Sequence, residues 1–210
     1  MDIEEQNGQQ EELSAAQKIL SDWYVIQVYT GDEDEMIDLF RPLIKPELGE
    51  EVFTMRKKKV LHGREGRYTA NLPMFPGYIF IKTDDIMRIR KEMRVIVQFK
   101  RILRAGNREF MPLYREEVRV FEQLGGPEHV VEISIGFKEG DEIGVLDGPL
   151  VLYTGKIEKI NRHKRTAMIR AMFMGEERVI PVGLEVLATK TEAENLRARM
   201  RLKGIIDAYQ

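Results

Sequence analysis

The sequence predicts an α+β chain in two parts: a sandwich over residues 21–124, with helices on the faces of a mainly antiparallel sheet, then a small all-β barrel over residues 137–190. Three observations lead there. Strand-like and helix-like apolar patterns alternate through the first part. The stretch "GGPEHVVEISIG" (125–136) turns to Gly and Pro punctuation without a clear helix and reads as a linker. After it come only short apolar runs separated by turn residues, the grammar of a small barrel.

Residues 1–20 have little apolar periodicity and read as a disordered acidic tail. "DWYVIQVYTG" (22–31), β-branched and aromatic and closed by Gly31, predicts a central strand. In "DEDEMIDLFRPLI" the acids Asp32 to Glu35 suit the positive end of a helix whose apolar face is Met36, Ile37, Leu39 and Phe40, and Pro42 stops it. "EEVFTMRKKKVLHGREGRYTANL" predicts two strands around a basic hairpin turning near His62 to Gly66, and "GYIFIK" the next strand. Asp84 is placed to cap a helix through "DIMRIRKEM", "VIVQFKRIL" predicts a strand, and "YREEVRVFEQL" a helix ended by Gly125 and Gly126. Beyond the linker, "DEIGVL", "GKIEKI", "TAMIRAMF" and "ERVIPV" predict the strands of the barrel, and residues 191–210 a polar segment able to form a helix.

Hydrophobic residues are 43% and charged residues 32% of the chain, a soluble balance, and no apolar run approaches the roughly 20 residues that cross a bilayer. The acidic start lacks the basic flank and apolar core of a secretory signal. With no cysteine there is no disulfide framework and no thiolate metal site, which fits a cytoplasmic protein. The net charge of -2 conceals a division, because residues 1–20 hold Asp2, Glu4, Glu5, Glu11 and Glu12 against Lys18 alone. The bases of the rest are grouped: Arg56, Lys57, Lys58, Lys59, Arg64 and Arg67; Arg88, Arg90, Lys91, Arg94, Lys100, Arg101 and Arg104; Lys156, Lys159, Arg162, Lys164 and Arg165. One such run is most often a solvated face, but three interleaved with turns point to a polyanion.

Catalysis is not predicted. "GPLVLYTGKI" resembles a phosphate loop only superficially: Gly148 and Gly155 enclose six residues where the motif takes four, and Ile157 stands where a hydroxyl would hold Mg²⁺. His62, His129 and His163 lack metal-ligand spacing, and no carboxylates form an identifiable acid-base pair, so no cofactor or metal is expected. The stretch "LPMFPGYIFIK" (72–82) stays ambiguous on its residues alone. It is either a buried hairpin or an apolar surface for a larger partner.

"WYVIQVYTG", "MFPGYIFI" and "FKEGDEIGVLDGPL...TGKIEKINRHKRTAMIRAMFMGEERVIPV", in that order across about residues 22–190, resemble the transcription factor NusG and its paralogues. The resemblance implies an NGN domain at 21–124, a KOW domain of SH3-like form at 137–190, and a monomer that rides on RNA polymerase during elongation. It implies that Phe75, Tyr78 and Phe80, with Tyr29 at the end of the first strand, meet the polymerase clamp helices. Strand alternation sends Tyr78 and Phe80 to one face and Ile79 and Ile81 to the other, so one face fills the core while the second is left for the partner. It also implies that Arg56, Lys57, Lys58, Lys59, Arg64 and Arg67 extend toward nucleic acid, with non-template DNA as one candidate.

The turn "KINRHKRTAM" offers Asn161, Arg162, His163, Lys164 and Arg165, flanked by Lys156 and Lys159: cations for phosphates and planar groups for bases, which is what RNA recognition needs. Against this stands the plain solvated β-turn. Where enterobacterial NusG has an aromatic before the glycine of its partner-binding segment, this chain has Met174 before Gly175, a flexible and less specific anchor. The basic turn, acidic tail, extended basic hairpin and polar C-terminal segment make the chain similar to the specialised LoaP group. That similarity implies a processive antiterminator recruited by an RNA hairpin in a nascent operon leader. General NusG, or a KOW-containing rRNA-binding module, are the alternatives; the net charge of -2 is unlike strongly basic ribosomal proteins. A KOW segment that is helical until recruited, as in the paralogue RfaH, is disfavoured by the strand alternation and by Gly144, Gly148, Gly155 and Gly175.

Overall fold

A computed structural model of the chain describes residues 20–64, 66–93, 110–140 and 142–207. The chain divides into two compact units. The first comprises residues up to Thr54, Phe75–Phe121 and Met172–Glu176; the second comprises Met55–Met74, Glu122–Ala171 and Glu177 onward. The fold class is α+β, as the sequence predicts.

In the first unit, β1 (Leu20–Gln27), β2 (Glu51–Phe53), β5 (Tyr78–Lys82) and β6 (Met111–Tyr114) form a sheet in the order β2-β5-β1-β6. Its pairings are antiparallel, with Val25 opposite Phe80 and Phe53 opposite Phe80 on the other side. Alternation then divides the side chains between two faces. On one face Ile26, Ile79 and Ile81 pack with Met36 and Phe40 of α1 (Glu33–Phe40) and Ile89 and Met93 of α2 (Ile86–Met93), all buried. On the other, Trp23 meets Phe53 edge to face at 4.9 Å, Phe53 stacks on Phe80 at 5.5 Å, and Phe121 of α3 (Arg115–Gly125) meets Phe80 at 6.3 Å. Edge-to-face and offset stacks are the favoured geometries of ring quadrupoles.

Local signals account for most of these bounds. α1 passes into a 3-10 turn over Arg41–Leu43 because Pro42 cannot donate to a continuing helix. α2 is capped by Asp85, whose Oδ1 accepts from Arg88 N at 2.9 Å, rather than by Asp84; the cap belongs to the residue immediately before Ile86. Gly126, at φ 57°, takes the left-handed conformation that ends α3. The expected strand "VIVQFKRIL" and the acidic tail lie outside the described residues.

The second unit holds the basic ribbon. β3 (Arg56–Gly63) and β4 (Gly66–Pro73) pair antiparallel from Arg56 opposite Pro73 to Gly63 opposite Gly66. β7 (Val130–Val131) adds to β3 in parallel, with Arg56 opposite Val130. A five-stranded sheet follows in the order β10-β11-β12-β8-β9, made of β8 (Ser134–Glu139), β9 (Glu142–Asp147), β10 (Ile157–Asn161), β11 (Thr166–Phe173) and β12 (Glu176–Leu187). β8 runs parallel to β12, Ser134 opposite Leu184. The stretch expected as a linker therefore contains β7 and the start of β8. Apart from Gly136, which lies within β8, its Gly and Pro fall in the first three positions, and the β-branched run after them is strand. β9 to β12 coincide with the four runs read from the sequence, all extended rather than helical.

The C-terminal segment is α4 (Lys190–Asp207), opened by a capping box: Thr189 Oγ1 accepts from Glu192 N, and Glu192 Oε2 accepts from the N–H groups of Ala188 and Thr189. Ala193 is buried with Ile135 and Phe137 of β8, and Leu196 packs against them. Among the described residues no helix is long and apolar enough to cross a membrane.

One buried polar network braces the first unit. Glu50 accepts from the Thr83 hydroxyl at 2.6 Å, from Arg88 with both oxygens at 2.6 Å, and from Lys45 N at 2.8 Å. Burial pushes the Glu50 carboxyl up, but these hydrogen bonds outweigh it and hold the group below its ordinary value of 4.5. Glu50→Ala leaves the Arg88 guanidinium with Glu92 alone as counter-charge and the Thr83 hydroxyl without its acceptor, and is expected to cost about 2 kcal/mol, measurable by urea unfolding. Glu50 binds a proton more readily in the unfolded chain, so its contribution is full above pH 4.5 and fades as pH falls through the lower folded-state value. The stability gap between wild type and Glu50→Ala should narrow correspondingly in acid.

Candidate functional site

The segment Met74–Phe80 bends at Pro76 and Gly77 into β5. Tyr29 stands 47% exposed and Tyr78 is half-buried, but Phe75 is only 5% exposed and Phe80 not at all. The expectation that Phe80 faces outward is corrected here. Alternation does set Phe80 opposite Ile79 and Ile81, yet its own face is covered by Trp23, Phe53, Phe75 and Phe121 and by Phe173 at the end of β11. Phe173 stacks on Phe75 at 4.0 Å and meets Tyr78 edge to face at 5.2 Å. Following it, Met174 (φ 58°) and Gly175 (φ 78°) turn the chain, and Glu117, itself buried, accepts from Gly175 N at 2.8 Å and from Tyr114 N at 3.1 Å. Met174 is half-buried in that turn.

A second buried carboxylate holds the Pro76–Gly77 turn. Glu33 accepts from Gly77 N at 2.6 Å through Oε1 and from Gly31 N at 2.9 Å through Oε2, and Val28 N donates to Gly77 O at 2.8 Å. From the sequence, Glu33 was one acid among four at a helix start. Its use by a glycine 44 positions away was signalled only by the paired glycines, Gly31 and Gly77, that each bring a backbone N–H into the open.

The turn between β10 and β11 separates its polar residues into two roles. Asn161 Oδ1 accepts from Lys164 N at 2.9 Å, and Arg165, at φ 48°, donates to Glu185 at 2.9 Å across to β12. These two shape the backbone. Arg162, His163 and Lys164 are exposed at the tip, and Lys159 is exposed on β10; the Lys156 side chain lies outside the described residues.

On the β3–β4 ribbon the register sets Arg56, Lys58, His62 and Arg67 on one face and Lys57, Lys59 and Tyr68 on the other. Lys58 donates to Glu132 at 2.7 Å. Burial, and secondarily the charge of Lys59, hold the Lys57 ammonium below the usual lysine range. The exposed cations are Arg64 and Arg67, and Tyr68, not singled out from the sequence, is 53% exposed on the face opposite Arg67. Of the second basic group, Arg88 is committed to Glu50 and Glu92, while Arg94, Lys100, Arg101 and Arg104 lie outside the described residues.

Among the described residues no three His, Cys, Asp or Glu side chains group as a metal site. What the surfaces offer is aromatic and cationic contact area on the α+β unit and on the all-β sheet. The chain is similar to NusG: residues 21–122 match the family model described as "Transcription termination factor nusG". Relatives called "Transcription termination/antitermination protein NusG" are 25% identical over 172 residues in Halalkalibacterium halodurans, 26% over 179 in Bacillus subtilis and 28% over 177 in Thermus thermophilus. Each match covers 78% of this chain and 94%, 94% and 95% of the relative.

Gly77 has φ 82°, and a Cβ there would meet Thr30 Oγ1 at 3.1 Å and Val28 O at 3.2 Å. Gly77→Ala is therefore expected to destabilise the chain by about 2 kcal/mol, read as a lowered midpoint in urea with unchanged slope.

Proposed function

We propose that this chain is a LoaP-type processive antiterminator in the cytoplasm, held on RNA polymerase by its NGN domain (21–124) and recruited by an RNA hairpin in a nascent operon leader. Tyr29 and Tyr78 contact the clamp helices, with Phe75 and Phe80 supporting them from beneath. Holding the clamp disfavours pausing. The observation that carries the RNA assignment is the division of labour at the β10–β11 turn. Asn161 and Arg165 fix the backbone, while Arg162, His163 and Lys164 stand exposed together, with Lys159 on the adjoining strand. Guanidinium and ammonium groups neutralise phosphates, and the imidazole and guanidinium planes suit unpaired bases. Arg64 and Arg67 at the end of the ribbon supply a second set of cations for non-template DNA, with Tyr68 exposed on the face opposite Arg67.

General NusG activity is the second reading, favoured by the names of the relatives, all of them termination/antitermination proteins. Sequencing RNA crosslinked to the protein in cells separates the two: one enriched leader hairpin supports the specialist, transcriptome-wide occupancy the general factor.

Changing Arg162 and Lys164 to Ala should weaken binding to that RNA and flatten its log-log salt dependence by about 0.7 per lost phosphate contact, with polymerase binding intact. Tyr78→Ala should do the reverse. Unchanged RNA affinity in the double variant refutes the turn as the RNA site.

A further inference from the structure

We infer that Glu33 is a positioning residue of the polymerase-facing surface, its carboxylate clamping the loop after β1 and the Pro76–Gly77 turn into one tip that presents Tyr29 and Tyr78. The inference rests on the function proposed above and adds the residue that sets the geometry of its site. Glu33 is 4% exposed, and its two oxygens go to Gly31 N and Gly77 N, one on each side of the tip. The two segments approach so closely that a side chain at Gly77 would strike Thr30 and Val28. On the outside, Tyr29, Thr30, Gly31 and Pro76 are exposed and Tyr78 is half-buried, so the accessible part of the aromatic segment is this two-loop tip.

Binding through loops loses affinity to ordering entropy unless the loops are already fixed. Hydrogen bonds to a carboxylate are stronger than neutral ones, and two from one side chain fix both distance and orientation. A carboxylate is required because both partners are donors. The amide of Gln offers one oxygen and one NH₂, and so must oppose a donor to a donor at Gly31 or at Gly77.

The test uses the full chain, bacterial core RNA polymerase and amide hydrogen exchange. Glu33→Gln should speed exchange at Gly31 and Gly77 while exchange in the rest of β1 and β5 stays unchanged. It should weaken polymerase binding about tenfold, the equivalent of one charge-assisted hydrogen bond. Combined with Tyr78→Ala, it should add little to the loss from Tyr78→Ala alone, since Glu33 acts through the same surface; general destabilisation would instead add in full. If Glu33→Gln does not fold, Glu33→Asp, which keeps both oxygens on a shorter reach, carries the same comparison. Faster exchange with unchanged affinity, while Tyr78→Ala still weakens binding, overturns the positioning role and leaves the polymerase site standing. Unchanged affinity in both Tyr29→Ala and Tyr78→Ala overturns the site itself, and the inference with it.

Discussion

The antiparallel register of β1 against β5 is the constraint on which the first unit rests. Setting Val25 opposite Phe80 commits Ile79 and Ile81 to one side of the sheet and Phe80 to the other. A strand that is apolar on both sides must be covered twice. Helices α1 and α2 cover the aliphatic side, while α3 and a set of aromatic rings cover the other. Tyr78, at the start of the strand, is where coverage thins, and so the residue able to serve a partner lies beside the turn rather than along the strand.

The turn itself depends on charge placed where charge is costly. Two buried glutamates, Glu33 and Glu117, each join two backbone N–H groups, and each holds a glycine with positive φ, Gly77 and Gly175. A buried carboxylate is tolerated when donors surround it. Glycine exposes its amide without a side chain in the way, so the pairing of glutamate with glycine is the same solution used twice. Glu50 is a third buried glutamate but a different arrangement, held by one backbone N–H, the Thr83 hydroxyl and the Arg88 guanidinium of α2.

Local periodicity made much of this legible. The strands β9 to β12, the ribbon, the helices and the polar C-terminal helix follow from alternation, caps and turn residues within a few positions of each other. What was not legible depends on distant partners. Phe80 is buried because Phe121 and Phe173 close over it, and neither is near it in sequence. β7 and β8 pair in parallel with strands far away, so the stretch holding them reads as a linker when only its glycines and proline are weighed. In the β10–β11 turn, five polar side chains look equivalent in the sequence. Only the backbone path, with Arg165 at positive φ and paired to Glu185, separates those that build the turn from those it displays.

The parallel partnership of β8 and β12 bears on how the chain is made. Ser134 leaves the ribosome well before Leu184, its neighbour in the finished sheet, has been added. Until the ribosome has passed Leu187, β8 can be bonded only on its β9 side, leaving the other edge open to misassociation. The sheet of the second unit is thus completed only once β12 has been made, and a nascent chain stalled in β11 would carry a basic ribbon and an unfinished sheet.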